Sequence, residues 1–167
     1  MDFLFSPWRY RYLTAAQPAG RGCVLCAQLA ADDDAAALVA FRGVHNAIML
    51  NRYPYTSGHV MILPYAHVAS LAECGAEARA EMMELAARAE AVLTAEYRCP
   101  GLNLGLNLGE AAGAGIAGHL HLHAVPRWFG DANFMTVVGE TRILPETLEK
   151  TFRRLQAAFA ALTPARP

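Results

Sequence analysis

The sequence has no long apolar run and no marked excess of one charge. A membrane span needs about 18 or more apolar residues in succession, and the chain has none. Its 14 basic and 15 acidic residues give a net charge of −1, without the basic footprint of a nucleic-acid-binding protein. The start "MDFLFSPW", with an acid at position 2, does not resemble a signal peptide. We therefore expect a cytoplasmic protein that binds neither nucleic acid nor membrane.

Cysteine is scarce, with four residues in 167. In a reducing compartment these residues stay as thiols unless a metal holds them. Cys23 and Cys26 form a Cys-x-x-Cys pair, the spacing of half a tetrahedral zinc site. No second pair exists, because Cys74 and Cys99 lie far apart, so any further ligands would have to be histidines. Two buried thiols are the plainer alternative, and a redox pair lacks the usual parallel βαβ pattern.

The length and the 54% hydrophobic content fit a single domain. We assign residues 1–37 to an N-terminal arm that includes the Cys-x-x-Cys segment, and residues 38–167 to the main domain. The first 22 residues are irregular in pattern and fit a surface arm packed on the domain or on a partner subunit. They include an aromatic and basic cluster made of Trp8, Arg9, Tyr10, Arg11 and Tyr12.

Hydrophobic periodicity predicts two main helices, over about 76–97 and 146–162. In the first helix, an apolar stripe lies opposite a polar side that includes Glu81. The stripe consists of Met82, Leu85, Ala89, Val92 and Leu93. In the second helix, apolar residues alternate at spacings of four and three, and these residues are Leu148, Phe152, Leu155, Phe159 and Leu162.

Short apolar runs predict strands over about 38–42, 46–51 and 58–65. "GLNLGLNL" (101–108) predicts a half-buried strand with its leucines on one face, and a further strand is expected to begin near His119. Strands on both sides of one helix, without βαβ alternation, favour an α+β fold with a mainly antiparallel sheet.

"GHLHLHAVP" places histidines at 119, 121 and 123. Alternate residues of a strand share one face, so this spacing predicts three imidazoles on one side. Two chemical uses fit the pattern. A His-x-His pair can chelate a catalytic zinc that activates water, or one imidazole can act as a nucleophile whose neighbours set its tautomer.

The loop "GEAAGAGIAG" before the histidines favours the nucleophile. Its glycines let backbone N–H groups approach an anion such as a phosphate. Alone, such a loop is also typical of a simple flexible connection. A catalytic zinc usually has an acid nearby as base, and the ten residues before the triad offer only Glu110.

The motif "HLHLHAV" resembles that of the histidine triad (HIT) superfamily of nucleotide hydrolases and transferases. The surrounding "NRYPYTSGHVMILPYAHVASL" and "GLNLGLNLGEAAGAGIAG" are similar to the bacterial diadenosine-tetraphosphate phosphorylase (ATP adenylyltransferase) branch. The resemblance covers about 38–155. It implies a HIT-like α+β fold, with a five-stranded antiparallel sheet and two main helices, that pairs as a homodimer.

The resemblance also implies roles for individual residues. His121 matches the nucleophile that forms a nucleotidyl-histidine, and His123 matches the residue that contacts the phosphate and assists the leaving group. His119 is the third catalytic histidine of the triad. Substrate-binding roles are implied for Asn51 as the ribose contact and for Asn107, Gly113 and Gly115 in the phosphate loop. They are also implied for Trp128, the aromatic residue after the triad, and for His59, the histidine that supports the triad. Gly115 lies where many relatives have a hydrogen-bonding side chain.

Zinc-containing members of the superfamily imply one structural zinc, because four protein ligands leave no position for water. The matching ligands here are Cys23, Cys26, His67 and His119, and His59 is the rival for the fourth place. The expected function is cleavage of dinucleoside polyphosphates by adenylyl transfer to phosphate. Alternatives are a dinucleoside polyphosphate or nucleoside phosphoramidate hydrolase, a zinc-water hydrolase, and a non-catalytic nucleotide-binding module.

Overall fold

The sheet has five strands, β1 (Val39–Arg42), β2 (Asn46–Leu50), β3 (Val60–Pro64), β4 (Gly101–Leu106) and β5 (Leu122–Arg127). All pairings are antiparallel, in the order β1-β2-β3-β5-β4. The computed structural model describes residues 22–132 and 145–162. The expected α+β fold with a five-stranded antiparallel sheet is confirmed, whereas the aromatic and basic cluster of the N-terminal arm lies outside the described residues.

The described α-helices are α1 (Val24–Leu29), α2 (Asp34–Ala37), α3 (Ala76–Tyr97) and α4 (Leu148–Ala161). The predicted apolar stripe of α3 is buried, as are Phe152, Leu155 and Phe159 of α4. Both helices pack over one face of the sheet, against alternate strand residues such as Ile48, Val60 and Ile62. None of the helices in the described ranges is long and apolar enough to cross a membrane.

The opposite face of the sheet is covered only in part. A second apolar cluster joins Leu25 and Leu29 of α1 to Met49, Met61 and Leu63 of the central strands. This cluster covers β1, β2 and β3. On the same face, the part formed by β5 and β4 borders a cavity instead.

Glu81 has a role different from the predicted one. Instead of belonging to a solvated polar face, its carboxylate accepts hydrogen bonds from the backbone N–H groups of Val44, His45 and Asn46, at 2.6–2.8 Å. Burial alone would raise the pKa of Glu81, but the hydrogen bonds from the Asn46 side chain and these backbone groups lower it below its usual value. The carboxylate thus anchors the β1–β2 turn to α3.

Two strand predictions need correction. The last strand begins at Leu122 and not near His119, because pairing with β3 starts at Leu122 and Ile62. The leucines of 101–108 do not form one buried face, since Leu104 is 44% and Leu108 is 46% exposed. The reason is that β4 lies at the edge of the sheet and pairs only with β5.

Candidate active site and metal site

The three histidines of the motif lie where the glycine loop enters β5. His123 is on the strand, opposite Met61 of β3 and Gly105 of β4. Directly paired residues share a face of the sheet. His123 is therefore on the same face as Met61, in the part that α1 does not cover. His119 and His121 precede the strand, and their side chains are buried.

His121 is held by one backbone hydrogen bond. Its Nδ1 lies 2.7 Å from the carbonyl oxygen of His119. A carbonyl only accepts, so Nδ1 carries the proton of the neutral ring, and Nε2 keeps its lone pair. The ring is only 6% exposed, and its centroid lies 4.9 Å from that of His123. The geometry therefore gives His121 one basic nitrogen in a fixed orientation.

His123 is oriented by a chain of hydrogen bonds through His59. The backbone N–H of Tyr55 donates to Nδ1 of His59 at 3.1 Å, so the proton of neutral His59 is on Nε2. That nitrogen is 2.9 Å from Nδ1 of His123 and donates to it. The proton of His123 consequently lies on Nε2, on the side away from His59.

The surroundings favour neutral His123. Burial, together with the neighbouring His121, lowers its pKa to about 4. At neutral pH the ring therefore carries a single N–H for a substrate oxygen and no resident positive charge. The ring of Tyr55 extends this group, with its centroid 4.8 Å from that of His59 and 6.2 Å from that of His123.

Asn51 and Asn107, two of the residues implied to bind substrate, lie close to these imidazoles. Asn51 follows β2, and its Nδ2 is 3.4 Å from Nε2 of His59. Asn107 follows β4 and lines the cavity beside His123. Gly113 ends a short 3-10 turn in the left-handed conformation, with φ of 88°, which a residue without Cβ adopts without strain. Gly115 is half-buried in the same loop.

Trp128 lies apart from the residues that line this cavity. Strand alternation places it on the helix side, opposite to the side of His123. There its ring meets that of Tyr97 edge-on, with centroids 6.4 Å apart. The structure thus does not bring Trp128 to the cavity as the resemblance implied.

The predicted metal ligands Cys23, Cys26, His67 and His119 come together from three segments of the sequence. Their ligand atoms all lie within 4.8 Å of one another. Nδ1 of His119 is 3.4 Å from each cysteine Sγ, and Nδ1 of His67 is 3.4 Å from Sγ of Cys26. Tetrahedral zinc with Zn–S of about 2.3 Å and Zn–N of about 2.0 Å places S and N roughly 3.6 Å apart. The spacing therefore fits zinc.

The tautomer of His119 also suits a metal. Its Nε2 lies 2.9 Å from the carbonyl oxygen of Pro64, so Nε2 donates and Nδ1 points its lone pair at the two sulfurs. A histidine ligand commonly has such a hydrogen bond on its second nitrogen. The rival ligand His59 instead contacts His123.

The cavity beside His123 has a volume of about 410 Å³, within the usual range for small-molecule sites. Its far end contains a polar cluster that the sequence analysis did not identify. Arg127 forms a two-point ion pair with Asp131, at 2.6 and 2.8 Å, and donates to Oδ1 of Asn103 at 2.6 Å. The hydrogen bonds from Arg127 lower the pKa of Asp131 to about 2. The only sequence signal for this pair was the spacing of four residues between Arg127 and Asp131, shortly after the triad.

Comparison with known proteins identifies the family. A HIT domain model matches residues 35–130, more than half of the chain, so the protein belongs to the HIT family. A curated relative, the AP-4-A phosphorylase of Mycobacterium tuberculosis, is 39% identical over 164 residues, covering 94% of this chain and 84% of the relative.

Solved structures agree with this assignment. A zinc-bound histidine triad family protein from Mycobacterium smegmatis is 30% identical, with a TM-score of 0.68, over 83% of this chain and 94% of that chain. A histidine triad nucleotide-binding protein from Sulfolobus tokodaii shares the fold at 22% identity, with a TM-score of 0.66, over 83% of this chain and 92% of that one.

Proposed function

We propose that this protein cleaves dinucleoside polyphosphates, such as diadenosine tetraphosphate, by nucleotidyl transfer through His121. One observation carries the proposal: the hydrogen bond from Nδ1 of His121 to the His119 carbonyl leaves Nε2 as a nucleophile next to the N–H of His123. The similarity to an AP-4-A phosphorylase supports this choice of substrate.

The reaction has two displacements at the α-phosphorus. First, Nε2 of His121 forms a bond to phosphorus, and the bond from phosphorus to the bridging oxygen breaks, releasing ATP from diadenosine tetraphosphate. His123 donates a hydrogen bond from Nε2 to the departing oxygen. Next, phosphate or water attacks the adenylyl group and frees His121, giving ADP or AMP. Covalent catalysis thus replaces one difficult displacement by two easier ones.

The remaining residues take the binding roles that the family resemblance implies, and the positions of Asn51 and Asn107 support them. Asn51, beside His59, binds a ribose hydroxyl. Asn107 and the backbone N–H groups around Gly113 and Gly115 hold the phosphate oxygens. Trp128 receives no role in the cavity of its own chain, because its ring packs on Tyr97.

Cys23, Cys26, His67 and His119 hold a structural zinc ion. When bound, the ion supplies a fixed crosslink between the N-terminal segment, the loop after β3 and the start of the triad. Four protein ligands leave no coordination position for water, which disfavours the zinc-water hydrolase. The crosslink also holds the His119 carbonyl that orients His121.

The assembly and location follow from surface and cysteine chemistry. Leu104 of edge strand β4 and Leu108, two residues after that strand, are exposed, and Phe129 is 96% exposed, so a homodimer would cover an open sheet edge. The net charge of −1 lacks the basic footprint of a nucleic-acid-binding protein. Thiol ligands and the unpaired Cys74 and Cys99 suit the reducing cytoplasm.

Product analysis tests the reaction. Diadenosine tetraphosphate is incubated with the protein, with and without inorganic phosphate. ADP plus ATP indicates phosphorolysis, and AMP plus ATP indicates hydrolysis. Nucleotide binding without turnover under both conditions would contradict the proposal and leave a binding module. A monomer at micromolar concentration by light scattering would contradict the dimer.

A further inference from the structure

The cavity beside His123 extends past the reacting centre. In the register of β4 and β5, Gly105 lies opposite His123 and Asn103 opposite Val125. A Cβ added at Gly105 would meet nothing within 4 Å, so the missing side chain leaves room beside the imidazole. Tyr55 and Arg127 are among the residues that bound this space.

Arg127 is too far along β5 to serve the reacting phosphorus. It is four residues after His123 on the same face, which separates the two Cα atoms by about 13 Å. Its guanidinium is fixed by Asp131 and Asn103, and these bonds use three of its five N–H groups. Within the described part of the chain, two N–H groups remain for a further acceptor.

We propose that this cavity is a leaving-group subsite, and that Arg127 selects substrates with a long polyphosphate by binding a distal phosphate. The inference rests on the proposed function, in which the leaving group lies against His123 Nε2. A departing ATP would extend from that N–H over Gly105 towards Arg127. Because Asp131 balances the charge of Arg127, the subsite recognises a phosphate by directed hydrogen bonds and is not a general anion trap.

Two substrates with the same adenylyl group separate this role from catalysis. Diadenosine tetraphosphate has a leaving group that fills the subsite, whereas adenosine 5′-phosphoramidate releases only ammonia. Arg127→Ala should lower kcat/KM for the tetraphosphate by roughly tenfold or more, the usual worth of a charge-assisted hydrogen bond. It should change kcat/KM for the phosphoramidate by less than about twofold.

Gly105→Val is the second variant, since it fills the subsite without touching Arg127. We expect the same selective loss of kcat/KM for the tetraphosphate. Arg153→Ala, at an exposed arginine of α4, is the control and should leave kcat/KM unchanged for both substrates. A binding readout uses the inactive His121→Asn background, where Arg127→Ala should weaken the affinity for diadenosine tetraphosphate but not for AMP.

Parallel losses on both substrates, or no loss in either variant, would overturn the subsite. The proposed function fails in a different way: if the wild-type protein turns over neither substrate, nucleotidyl transfer itself is wrong, and the subsite falls with it. Turnover of the phosphoramidate by wild type, Arg127→Ala and Gly105→Val shows that nucleotidyl transfer is intact. A failure of the subsite is then distinct from a failure of the proposed function.

Discussion

Two histidines two residues apart belong to regions with different chemistry. His119 lies in a cluster with Cys23, Cys26 and His67, whereas the ring of His121 contacts that of His123, which lines the cavity. Both rings are buried, and both donate one N–H to a backbone carbonyl. They differ in which nitrogen does so.

His119 donates from Nε2 to Pro64 and keeps the lone pair of Nδ1, the nitrogen nearer the backbone, for the sulfur cluster. His121 donates from Nδ1 to His119 and keeps the lone pair of Nε2, the outer nitrogen, for a substrate. In the proposed function, the local carbonyl thus leaves one imidazole of this motif free to bind the metal and the other free to attack the substrate. Substitutions at His121, His123 and Cys26, and a change of pH, test that division.

His121→Asn should lower nucleotidyl transfer by about 10⁴-fold or more, because it removes the attacking nitrogen. Zinc content and the affinity for AMP should stay close to wild type. Rapid-quench kinetics, metal analysis and calorimetry measure the three quantities, with His45→Asn, at a half-buried histidine outside both clusters, as control. Most of the activity surviving in His121→Asn would show that the nucleophile lies elsewhere.

His123→Asn should lower kcat by about 10²–10⁴-fold, the range for a positioned proton donor or acceptor. Since Nε2 of His121 remains, a radiolabelled adenylyl group should still accumulate on the protein, more slowly than in wild type. Complete absence of labelling would place His123 in the attack itself and break the assignment of roles.

Cys26→Ser should reduce bound zinc and lower Tm by about 10 °C, since a structural metal contributes folding free energy. The loss of activity should be smaller, about 10–100-fold, because the variant affects His121 only through the His119 carbonyl. A chelator should reproduce both effects in the wild-type protein and add little in Cys26→Ser. A loss of activity as large as that of His121→Asn would mean that the metal itself takes part in the chemistry.

Acid should destabilise the His123 region over a defined range. The pKa of His123 is about 4 in the folded protein and about 6.5 in the unfolded chain. Between these values the unfolded state binds the extra proton, so the free energy of unfolding falls as pH falls from 6.5 to 4, by at most about 1.4 kcal/mol per pH unit. Because the ring borders an open cavity, solvent screens its charge, and the measured slope should be smaller than this maximum.

Urea unfolding at several pH values measures that effect, in the presence of a chelator so that metal binding does not contribute to the pH dependence. His123→Asn should show a shallower fall than wild type. Equal slopes in wild type and His123→Asn would mean that His123 is not held neutral.

Local patterns predicted much of this molecule. The 3.6-residue period over 76–97, with Pro100 and Gly101 as stop signals, predicted α3 with the bounds observed. The second helix was predicted two residues too long at its start, because Thr147 caps it through its side chain. The spacing of the three histidines also predicted a cluster of functional imidazoles, since nothing in simple packing requires one.

Non-local contacts account for what the sequence did not predict. The alternation of histidines runs back to His119, but β5 begins only where β3 offers a partner. The side on which Trp128 packs depends on Tyr97, far away in the sequence. Glu81 had the spacing of a solvated residue, and only the folded β1–β2 turn supplies the N–H groups that its carboxylate binds.

In the proposed function, the hydrogen bond between the His119 carbonyl and His121 links the zinc site to the nucleotide site thermodynamically. Any factor by which zinc tightens nucleotide binding at His121 must equal the factor by which the nucleotide tightens zinc binding. A substrate therefore protects the metal centre to the same degree that the metal centre prepares the site for the substrate. In a cell short of zinc, the copies engaged with nucleotide would be the last to lose their metal.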